Sequence, residues 1–361
     1  MVPKVGIILI NYRDYAKRFL ADCRESLRKT QYPADRLAVY MVDNASIEES
    51  ERYLRSEYPE AVILPSKENM GWGGGNNIGM RRAFADGCGA VVLLNMDTLV
   101  EEEWLQELVK VAASDPMVGI AQSTLLLHPR SADGRVLINS LGNEIHFLGF
   151  GFCRGYGGVD SIYPLPTTTY QLPEITYASG AAMYIKREVI EKIGLFNPEF
   201  FMYHDDLELC LKARLCGYRI VLSPASRVWH KYEFKRSIRQ IYFMERNRLL
   251  TVLEFYKVPT LLILAPAFAA MEAGLFFASL FGGYAGAQWE SRWYFFRPEA
   301  WRKLLAERKR IQSTRTVGDR VLMERFTGTI DFQEVRSPLL RYGVNPFFNA
   351  YLQIVKRLIF W

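Results

Sequence analysis

The feature that most constrains this chain is a regular alternation of apolar runs and amphipathic segments through its first 121 residues. The apolar runs are predicted strands, namely Val5–Ile10, Leu37–Val42, Ala61–Leu64, Ala90–Leu94 and Val118–Ala121. The segments between them have helical spacing, namely Tyr15–Lys29, Ile47–Tyr58, Asn76–Ala85 and Glu101–Ala113. Continuous apolar strands between helices are typical of a parallel sheet that is covered on both faces. Because such sheets bind ligands beyond the carboxyl ends of their strands, the polar residues at those ends are the candidates for a site.

Composition favours a large α/β domain followed by a basic region. Half of the 361 residues are hydrophobic, which is enough for a sizeable core. Residues 1–230 carry 24 Lys and Arg against 28 Asp and Glu, whereas residues 231–361 carry 21 against 11. We therefore predict a main domain over 1–235 and a basic helical region over 236–361 that meets an anionic partner. The five scattered cysteines lack Cys-x-x-Cys spacing, which favours a reducing compartment over a disulfide framework or a zinc site.

The pattern beyond residue 121 is less regular. Residues 130–175 are rich in Gly, Tyr and Pro and are expected to form a loop or lid. The elements predicted after it are a strand at Tyr177–Ile185, helices at Arg187–Ile193 and Asp205–Cys216, strands at Tyr218–Leu222 and Arg227–Trp229, and a basic amphipathic helix at 237–256.

A long apolar stretch runs from Val258 to Gln288 and is interrupted by a single charge, Glu272. It is long enough to cross a bilayer, but its prolines and glycines argue against a simple span. We expect a membrane-embedded or interfacial helical hairpin near 258–288, with the basic segments Lys235–Arg248 and Arg302–Arg310 facing an anionic leaflet. A buried helical pair in a soluble domain is the alternative.

Polar residues follow four of the predicted strands. They are Asn11 and Tyr12, then Asp43 and Asn44, then the glycine-rich segment from Asn69 to Gly79, and finally Asn95 and Asp97. Asp43 has the chemistry to accept hydrogen bonds from a nucleobase or ribose, or to cap a helix. The glycines would let the backbone approach a phosphate closely, or would form a surface turn. Asn95 and Asp97 point the same way along a strand and suit a hard divalent cation that also binds diphosphate oxygens.

Three carboxylates, Asp205, Asp206 and Glu208, follow the aromatic run Phe200–Tyr203. Crowding acids against aromatic residues does not help a chain to fold, because like charges repel and their burial is unfavourable. At a helix start, ionised carboxylates can act as a general base or as metal ligands. An acidic helix N-terminus without a functional role is the alternative.

Together these segments resemble the family 2 glycosyltransferases with a GT-A fold, in particular their bacterial rhamnosyltransferase-like branch. The resemblance spans roughly residues 4–260 and rests on the order and spacing of several motifs. These are Ile8–Tyr12, Val42–Ser46, Asn69–Gly79, Leu94–Thr98, Ser179–Ala182, Gly194–Asn197, Phe200–Leu209, Gly217–Arg219 and Val228–His230. The implied fold is a Rossmann-like mixed sheet, carrying the catalytic domain over 1–235.

The resemblance also implies roles for individual residues. Donor-binding residues would be Asn11, Tyr12, Asp43, Asn69, Gly71, Trp72, Asn76, Asn95 and Asp97, with Asp43 at the nucleobase. Asp97 and His230 would hold a divalent cation, Mg²⁺ or Mn²⁺, and Asn95 replaces the first acid of the family's Asp-x-Asp motif. Asp206 would be the catalytic base, with Asp205 and Glu208 as supporting acids. Trp72, Tyr203 and Trp229 would wall the sugar or acceptor pocket.

The implied activity is inverting transfer of a sugar, rhamnose or a related hexose, from a nucleoside-diphosphate sugar to a hydroxyl of a lipid-linked or polysaccharide acceptor in cell-envelope glycan assembly. The expected location is the cytoplasmic face of the cell membrane, with oligomeric state open. No nucleic-acid partner is expected, because the basic residues flank an apolar stretch and do not line an aromatic stacking surface. The alternatives are a nucleotidyltransferase, although the first strand lacks a triphosphate loop, and a non-catalytic membrane-associated sugar-binding protein.

Overall fold

A computed structural model describes residues 2–160, 172–232, 237–332 and 337–361. The strands are β1 Val5–Tyr12, β2 Leu37–Asn44, β3 Val62–Ser66, β4 Ala90–Leu94, β5 Thr98–Val100, β6 Val118–Leu127, β7 Ile138–Ser140, β8 Asn143–Ile145, β9 Gly151–Cys153, β10 Ala182–Lys186 and β11 Arg219–His230. The helices are α1 Tyr15–Arg28, α2 Glu48–Glu57, α3 Gly71–Ala85, α4 Trp104–Ala113, α5 Arg187–Ile193, α6 Asp205–Leu215, α7 Ile238–Phe255, α8 Val258–Gly282, α9 Ala285–Trp293, α10 Pro298–Thr314, α11 Asp319–Arg325 and α12 Asn345–Leu358.

The central sheet is mixed, with the strand order β3-β2-β1-β4-β10-β6-β11-β5 and with β7 paired to β6. Its first four strands are parallel, as their apolar runs predicted. Strand β10 runs antiparallel between β4 and β6. The carboxyl ends of β1, β2 and β4 therefore meet at one edge, where the candidate residues lie.

The glycine-rich segment is helical, which corrects the expectation of a phosphate-binding loop or turn. Helix α3 begins at Gly71, and its glycines let it approach the sheet closely. A Cβ on Gly79 would lie 2.5 Å from Ile8, and one on Gly75 would lie 3.1 Å from Ile10. The absence of side chains at these positions is thus explained by packing.

Four short strands were not predicted from the sequence, and one long strand was predicted as two. Strands β5, β7, β8 and β9 are three residues each, and the last three lie in the region expected to be irregular. Part of that region, 161–171, lies outside the described residues. The strands expected at Tyr218–Leu222 and Arg227–Trp229 are one strand, β11, whose pairing with β6 shifts register between Ser223 and Arg227.

The C-terminal region shares its core with the sheet domain. One cluster of buried side chains joins Leu209 of α6 to Val252 of α7, Leu264 of α8 and Phe348 of α12. The predicted boundary between 235 and 236 falls in 233–236, outside the described residues, as does Lys235 of the predicted basic segment. Hydrophobic packing therefore crosses the boundary that charge alone suggested.

The apolar stretch forms one 25-residue helix, α8, with Pro266 inside it. The expected hairpin is thus a long helix that ends at the left-handed Gly283 and is followed by the short helix α9. Within the described residues, α8 is the one helix long and apolar enough to cross a membrane, and 17% of its most apolar window is buried.

A buried ion cluster fastens α8 to α7 and α9. Arg248 of α7, whose side chain is 1% exposed, pairs with Glu245 of the same helix at 3.0 Å and with Glu272 of α8. Arg292 of α9 pairs with Glu245 at 2.8 Å and with Glu272 at 2.5 Å. Two carboxylates and two guanidinium groups neutralise one another, so the single charge of α8 is used to hold three helices together.

Candidate active site

Two neighbouring cavities open at the carboxyl edge of the sheet. The smaller, of about 270 Å³, is lined at the ends of β1, β2 and β4 by residues that include Tyr12, Asn44 and Asn95. The larger, of about 440 Å³, is lined by residues that include Asp97 and Asp206. We call them the donor-side cavity and the acceptor-side cavity.

Asparagine side chains and backbone amides build one wall of the donor-side cavity. Asn44 donates to the Oδ1 of Asn69 at 3.0 Å and accepts from the backbone N–H of Met70 at 2.8 Å. The N–H of Gly71 donates to Asn69 Oδ1, and the N–H of Trp72 donates to the carbonyl of Phe201. Because protein acceptors already bind these first amides of α3, they are not free to bind a phosphate.

Asp43 and Asn11 lie behind this cavity wall. Asp43 is 1% exposed and accepts hydrogen bonds from Asn11 at 2.7 Å, Ser46 at 2.6 Å and Ser50 at 2.5 Å. These bonds tie the end of β2 to the neighbouring strand β1 and to the start of α2. The structure therefore gives Asp43 and Asn11 a supporting position, while the predicted residues Tyr12, Asn69, Gly71, Trp72, Asn76 and Asn95 line the donor-side cavity.

Trp72 stands between the two cavities and lines both of them. Its indole N–H lies 3.4 Å from Asn95 Oδ1, and its ring packs edge-on against Phe196. A Cβ on Gly180 would coincide with the indole ring, so glycine is required there for the ring to fit. The prediction that Trp72 walls a pocket agrees with this placement.

Asp97 and His230 meet in the acceptor-side cavity. The Oδ1 of Asp97 lies 3.2 Å from the Nε2 of His230, and their side chains are 13% and 7% exposed. That oxygen is buried and has no hydrogen-bond partner among the residues that the structure describes. The other ring nitrogen of His230, Nδ1, lies 2.8 Å from Asn139 Oδ1, and a proton on Nδ1 would satisfy this contact. In that tautomer an imidazole lone pair and a carboxylate oxygen face each other, which is unfavourable unless a cation or proton lies between them.

This pair suits a divalent cation. Neighbouring ligands of an octahedral Mg²⁺ ion are about 3 Å apart, close to the separation of the two atoms. Within the part of the chain that the structure describes, no cluster of three or more His, Cys, Asp and Glu side chains could hold a metal ion. A cation held by Asp97 and His230 would therefore have positions left for oxygen atoms of a bound ligand.

Asp206 faces the acceptor-side cavity from the first turn of α6. Its Oδ2 accepts from the N–H of Gly180 at 3.1 Å, and its Oδ1 accepts from the N–H of Leu207 at 2.8 Å. Burial raises the pKa of Asp206 to about 6, and these backbone hydrogen bonds oppose the rise. The group is thus mostly ionised at neutral pH while it retains the basicity that a general base requires.

The two neighbouring acids differ from Asp206. Asp205 is 3% exposed, and burial, followed by the charges of Asp206 and Glu208, raises its pKa well above the usual range. Glu208 is fully buried and pairs with Lys212 at 2.8 Å. It lines neither cavity, because two positions along an α-helix turn its side chain by about 200° from that of Asp206. The structure thus places Glu208 in an internal ion pair and not at the site.

The loop before α6 has an uncommon backbone. Phe201, Tyr203 and His204 each have φ of +63°, in the left-handed region that residues other than glycine seldom adopt. Tyr203 and His204 line the acceptor-side cavity, and Met202 lines both cavities. The predicted role of Tyr203 in a pocket wall agrees with its position.

Trp229 lies elsewhere. It borders a separate open surface pocket with Leu99, Glu101, His128 and Arg130, and its indole N–H donates to Glu101 at 3.1 Å. Successive residues of a strand face opposite sides of a sheet, so Trp229 and His230 of β11 cannot both face the same cavity. The predicted pocket role of Trp229 is therefore not supported.

Several site residues were not identified from sequence. Tyr15 lines the donor-side cavity near Asp97, Tyr177 and Gly180 line the acceptor-side cavity, and Asn139 contacts His230. Gly180 lies in a motif of the resemblance, which is a signal that pointed to its importance. Asn139 lies in the region read as irregular, and no local pattern marks it.

The mixed sheet with two cavities at its carboxyl edge has the arrangement expected of an α/β protein of the GT-A type. The family described as "Glycosyltransferase like family 2" matches residues 3–249, and the chain belongs to that family. The predicted family and fold are thus confirmed, and the nucleotidyltransferase alternative is disfavoured.

Named relatives agree with this assignment. The chain is 24% identical over 256 residues to the low-salt glycan biosynthesis hexosyltransferase Agl10 of Haloferax volcanii, covering 69% of this chain and 76% of the relative. It is 24% identical over 251 residues to the N-acetylglucosaminyl-diphospho-decaprenol L-rhamnosyltransferase of Mycobacterium tuberculosis, covering 64% and 76%. The crystal structure of GalNAc-T7 with UDP, GalNAc and Mn²⁺ superposes with a TM-score of 0.54 at 15% identity, covering 71% of this chain and 49% of that one. The chain thus spans about half the length of that protein, and the likeness shows the fold.

Proposed function

We propose that this glycosyltransferase inverts the anomeric centre as it moves a hexosyl unit, rhamnose or a related sugar, from a nucleoside diphosphate to an acceptor hydroxyl. The observation that carries the proposal is one cavity that holds both a carboxylate with a pKa of about 6 and the facing pair Asp97 and His230. A base and a cation site are the two groups that a direct displacement requires.

The bonds change in one step. The acceptor oxygen forms a bond to the anomeric carbon as the bond from that carbon to the diphosphate oxygen breaks, and the electron pair leaves with the diphosphate. Asp206 takes the hydroxyl proton. The single displacement inverts the configuration, and no sugar–enzyme bond forms. Asp97 and His230 would hold a divalent cation, which would stabilise the negative charge that develops on the diphosphate.

The donor is proposed to bind across both cavities. The nucleoside would occupy the donor-side cavity against Tyr12, Asn69 and Asn76, and the diphosphate would pass Trp72 and Asn95 toward Asp97. Asp43 would act on the nucleobase end through the residues it positions, because its own oxygens are already bound to Asn11, Ser46 and Ser50.

Screening donors tests this assignment. Thermal-shift measurements with UDP, GDP and dTDP sugars, with and without Mg²⁺ or Mn²⁺, should give one nucleotide class that raises the Tm only with the cation. Incubation of that donor with lipid-linked acceptors, followed by NMR of the product, should show the inverted anomer. A product with retained configuration would overturn the proposed mechanism, and no stabilisation by any nucleotide sugar would overturn the donor class.

We also propose that the enzyme lies on the cytoplasmic face of a membrane, where it meets a lipid-linked or polysaccharide acceptor of the cell envelope. One face of α8 exposes a row of apolar side chains, including Leu262, Phe277 and Phe281, and Phe281 is 91% exposed. Aromatic residues after α8 are also exposed, namely Trp289, Trp293, Phe296 and Trp301. Tryptophan favours the boundary between lipid and water. Because Glu272 in the middle of α8 is tied to Arg248 and Arg292, a helix lying in the interface fits better than a helix that crosses alone.

Flotation with anionic liposomes tests the membrane proposal. The protein should float with the vesicles, and Phe281→Asp should weaken the binding by about tenfold or more, since it places a charge in the apolar face. Met117→Asp is the matched control, because Met117 is an exposed apolar residue on the sheet domain. Equal loss in both variants, or no flotation of the unaltered protein, would contradict the proposal.

A further inference from the structure

The loop over residues 199–204 holds a strained backbone beside the candidate base. Left-handed φ values at Phe201, Tyr203 and His204 cost roughly 1–2 kcal/mol each relative to ordinary conformations. Such a conformation persists when contacts from outside the loop fix it. The source of those contacts therefore determines how the loop is shaped.

One side chain of α7 binds the loop at three points. The Nδ2 of Asn247 lies 2.9 Å from the carbonyl oxygen of Phe200, 2.8 Å from that of Met202 and 2.8 Å from that of Tyr203. Asn247 is fully buried. Its two amide hydrogens are shared among three carbonyl oxygens that the left-handed turns have brought together, so loop shape and asparagine position depend on each other.

Arg246 fixes which way the amide of Asn247 faces. The Oδ1 of Asn247 accepts from Arg246 Nε at 3.0 Å and from its Nη2 at 2.8 Å. A guanidinium group only donates hydrogen bonds, so the oxygen must face it and the nitrogen must face the loop. The same Nη2 donates to the carbonyl groups of Glu199 and Phe200, at 2.5 Å and 3.1 Å. The two adjacent residues thus form one clamp, which we call the α7 clamp.

The opposite side of the loop is fixed by α3. The carbonyl of Phe201 accepts from the N–H of Trp72 at 2.8 Å, and a Cβ on Gly71 would collide with that carbonyl. The loop therefore lies between the α7 clamp and the start of α3. Because Met202 lines both cavities and α6 begins at Asp205, the position of the loop sets both the border between the cavities and the direction of Asp206.

We propose that Asn247, oriented by Arg246, is a positioning residue that holds the 199–204 loop in its left-handed conformation and thereby aims Asp206 at the acceptor hydroxyl. This inference rests on the proposed function, in which Asp206 is the base. It assigns part of the catalytic geometry to a helix beyond the sheet domain that the sequence predicted.

The variant Asn247→Asp tests the clamp with little change in shape. It keeps the oxygen that accepts from Arg246 but replaces the amide donor by an oxygen that faces three carbonyl groups. The kcat should fall about a hundredfold, the scale expected when a catalytic group is misplaced by about 1 Å. The Kd for the nucleotide that stabilises the unaltered protein should change less than about threefold, since that cavity is built mainly by the sheet edge.

The variant Thr251→Val is the matched control. Thr251 is buried one turn further along α7, and its hydroxyl donates to the backbone carbonyl of Asn247 within the helix. Loss of the Thr251 hydroxyl should lower the Tm without a comparable loss of kcat. Equal falls in kcat for the two variants at equal Tm would show a general packing effect and would overturn the proposal.

Hydrogen exchange tests the conformation of the 199–204 loop independently of transferase activity. Amides in 200–206 of Asn247→Asp should exchange at least about tenfold faster than in the unaltered protein, while those of β1 and β4 stay protected. Unchanged exchange in the loop would overturn the inference, even if activity were lost.

If Asn247→Asp does not fold, Asn247→Ser keeps one donor, and it should give a smaller change in the same direction. If no transferase activity is found in any protein but the loop exchange rises as expected, the proposed function fails and the loop assignment stands.

Discussion

The two cavities are built in different ways. The donor-side cavity is formed by residues at the ends of β1, β2 and β4, whose directions follow from strand geometry and whose asparagines bind one another locally. The acceptor-side cavity depends on a loop of left-handed residues that Asn247 holds from a helix more than forty positions along the chain. One half of the site is thus fixed by the sheet, and the other half by long-range hydrogen bonds. Changes on the two sides should therefore separate binding from turnover.

Removal of the base should give the largest effect. Asp206→Asn should reduce kcat by about two to four orders of magnitude, because an amide cannot take the acceptor proton. Nucleotide affinity, measured by calorimetry, should be nearly unchanged. Asp205→Asn is the neighbouring control and should lose less than about tenfold, because burial and the nearby acids raise the pKa of Asp205 and so favour its uncharged form, which an amide resembles. If the losses were reversed, Asp206 would not be the base.

The pH dependence of kcat/KM should report the ionisation of Asp206. Because the pKa of Asp206 is raised to about 6, its base form is lost as the pH falls through that value. We expect kcat/KM to be level above pH 7 and about tenfold lower at pH 5. The measurement is repeated at several metal concentrations. An acid limb that moves with metal concentration would come from a metal ligand and would contradict the assignment to Asp206.

A smaller effect is expected from Asn139, which holds the Nδ1 of His230. Asn139→Ala should weaken Mn²⁺ binding by about tenfold, because the imidazole loses its orientation. Electron paramagnetic resonance of free Mn²⁺ measures this affinity, and saturating metal should restore most of the turnover. Asn77→Ala is the control, since Asn77 is also buried but bonds to Phe196. Equal loss in both variants would count against a role for Asn139 at the cation site.

The smallest effect on turnover is expected at Glu208. Glu208→Ala leaves Lys212 buried without its carboxylate, which should lower the free energy of unfolding by roughly 3 kcal/mol. Urea denaturation measures that change. The kcat, measured well below the Tm, should stay within about threefold of the original. A large loss of kcat in the folded variant would indicate that Glu208 has a direct role in turnover.

The sheet and its strand-end residues were accessible from sequence for a physical reason. Continuous apolar runs such as Val5–Ile10 and Ala90–Leu94 predict buried strands, and the end of each run predicts where the strand ends. The glycines of α3 were misread because their role is contact with Ile8 and Ile10, which are distant in sequence.

The strained loop and its clamp were not accessible in this way. Phe201, Tyr203 and His204 give no sign of left-handed backbone, because their propensities favour ordinary conformations. Asn247 reads as one polar residue in a basic amphipathic helix, and its three carbonyl partners become visible only in the fold. The placement of Glu208 inside the protein likewise depends on Lys212 and on tertiary packing.

The ion cluster of Arg248, Glu245, Glu272 and Arg292 has a consequence for how such a chain can be rearranged. Glu245 and Arg248 of this cluster flank Arg246 and Asn247 in the sequence, and the cluster fastens α7 to α8 and α9, so the clamp and the apolar helix are parts of one unit. A recombination that exchanged the C-terminal third for another segment would also remove the support of the 199–204 loop. The predicted boundary between residues 235 and 236, where the balance of charge changes, therefore does not separate two independent modules. Any segment that replaced the C-terminal region would need an asparagine that reaches the same three carbonyl groups.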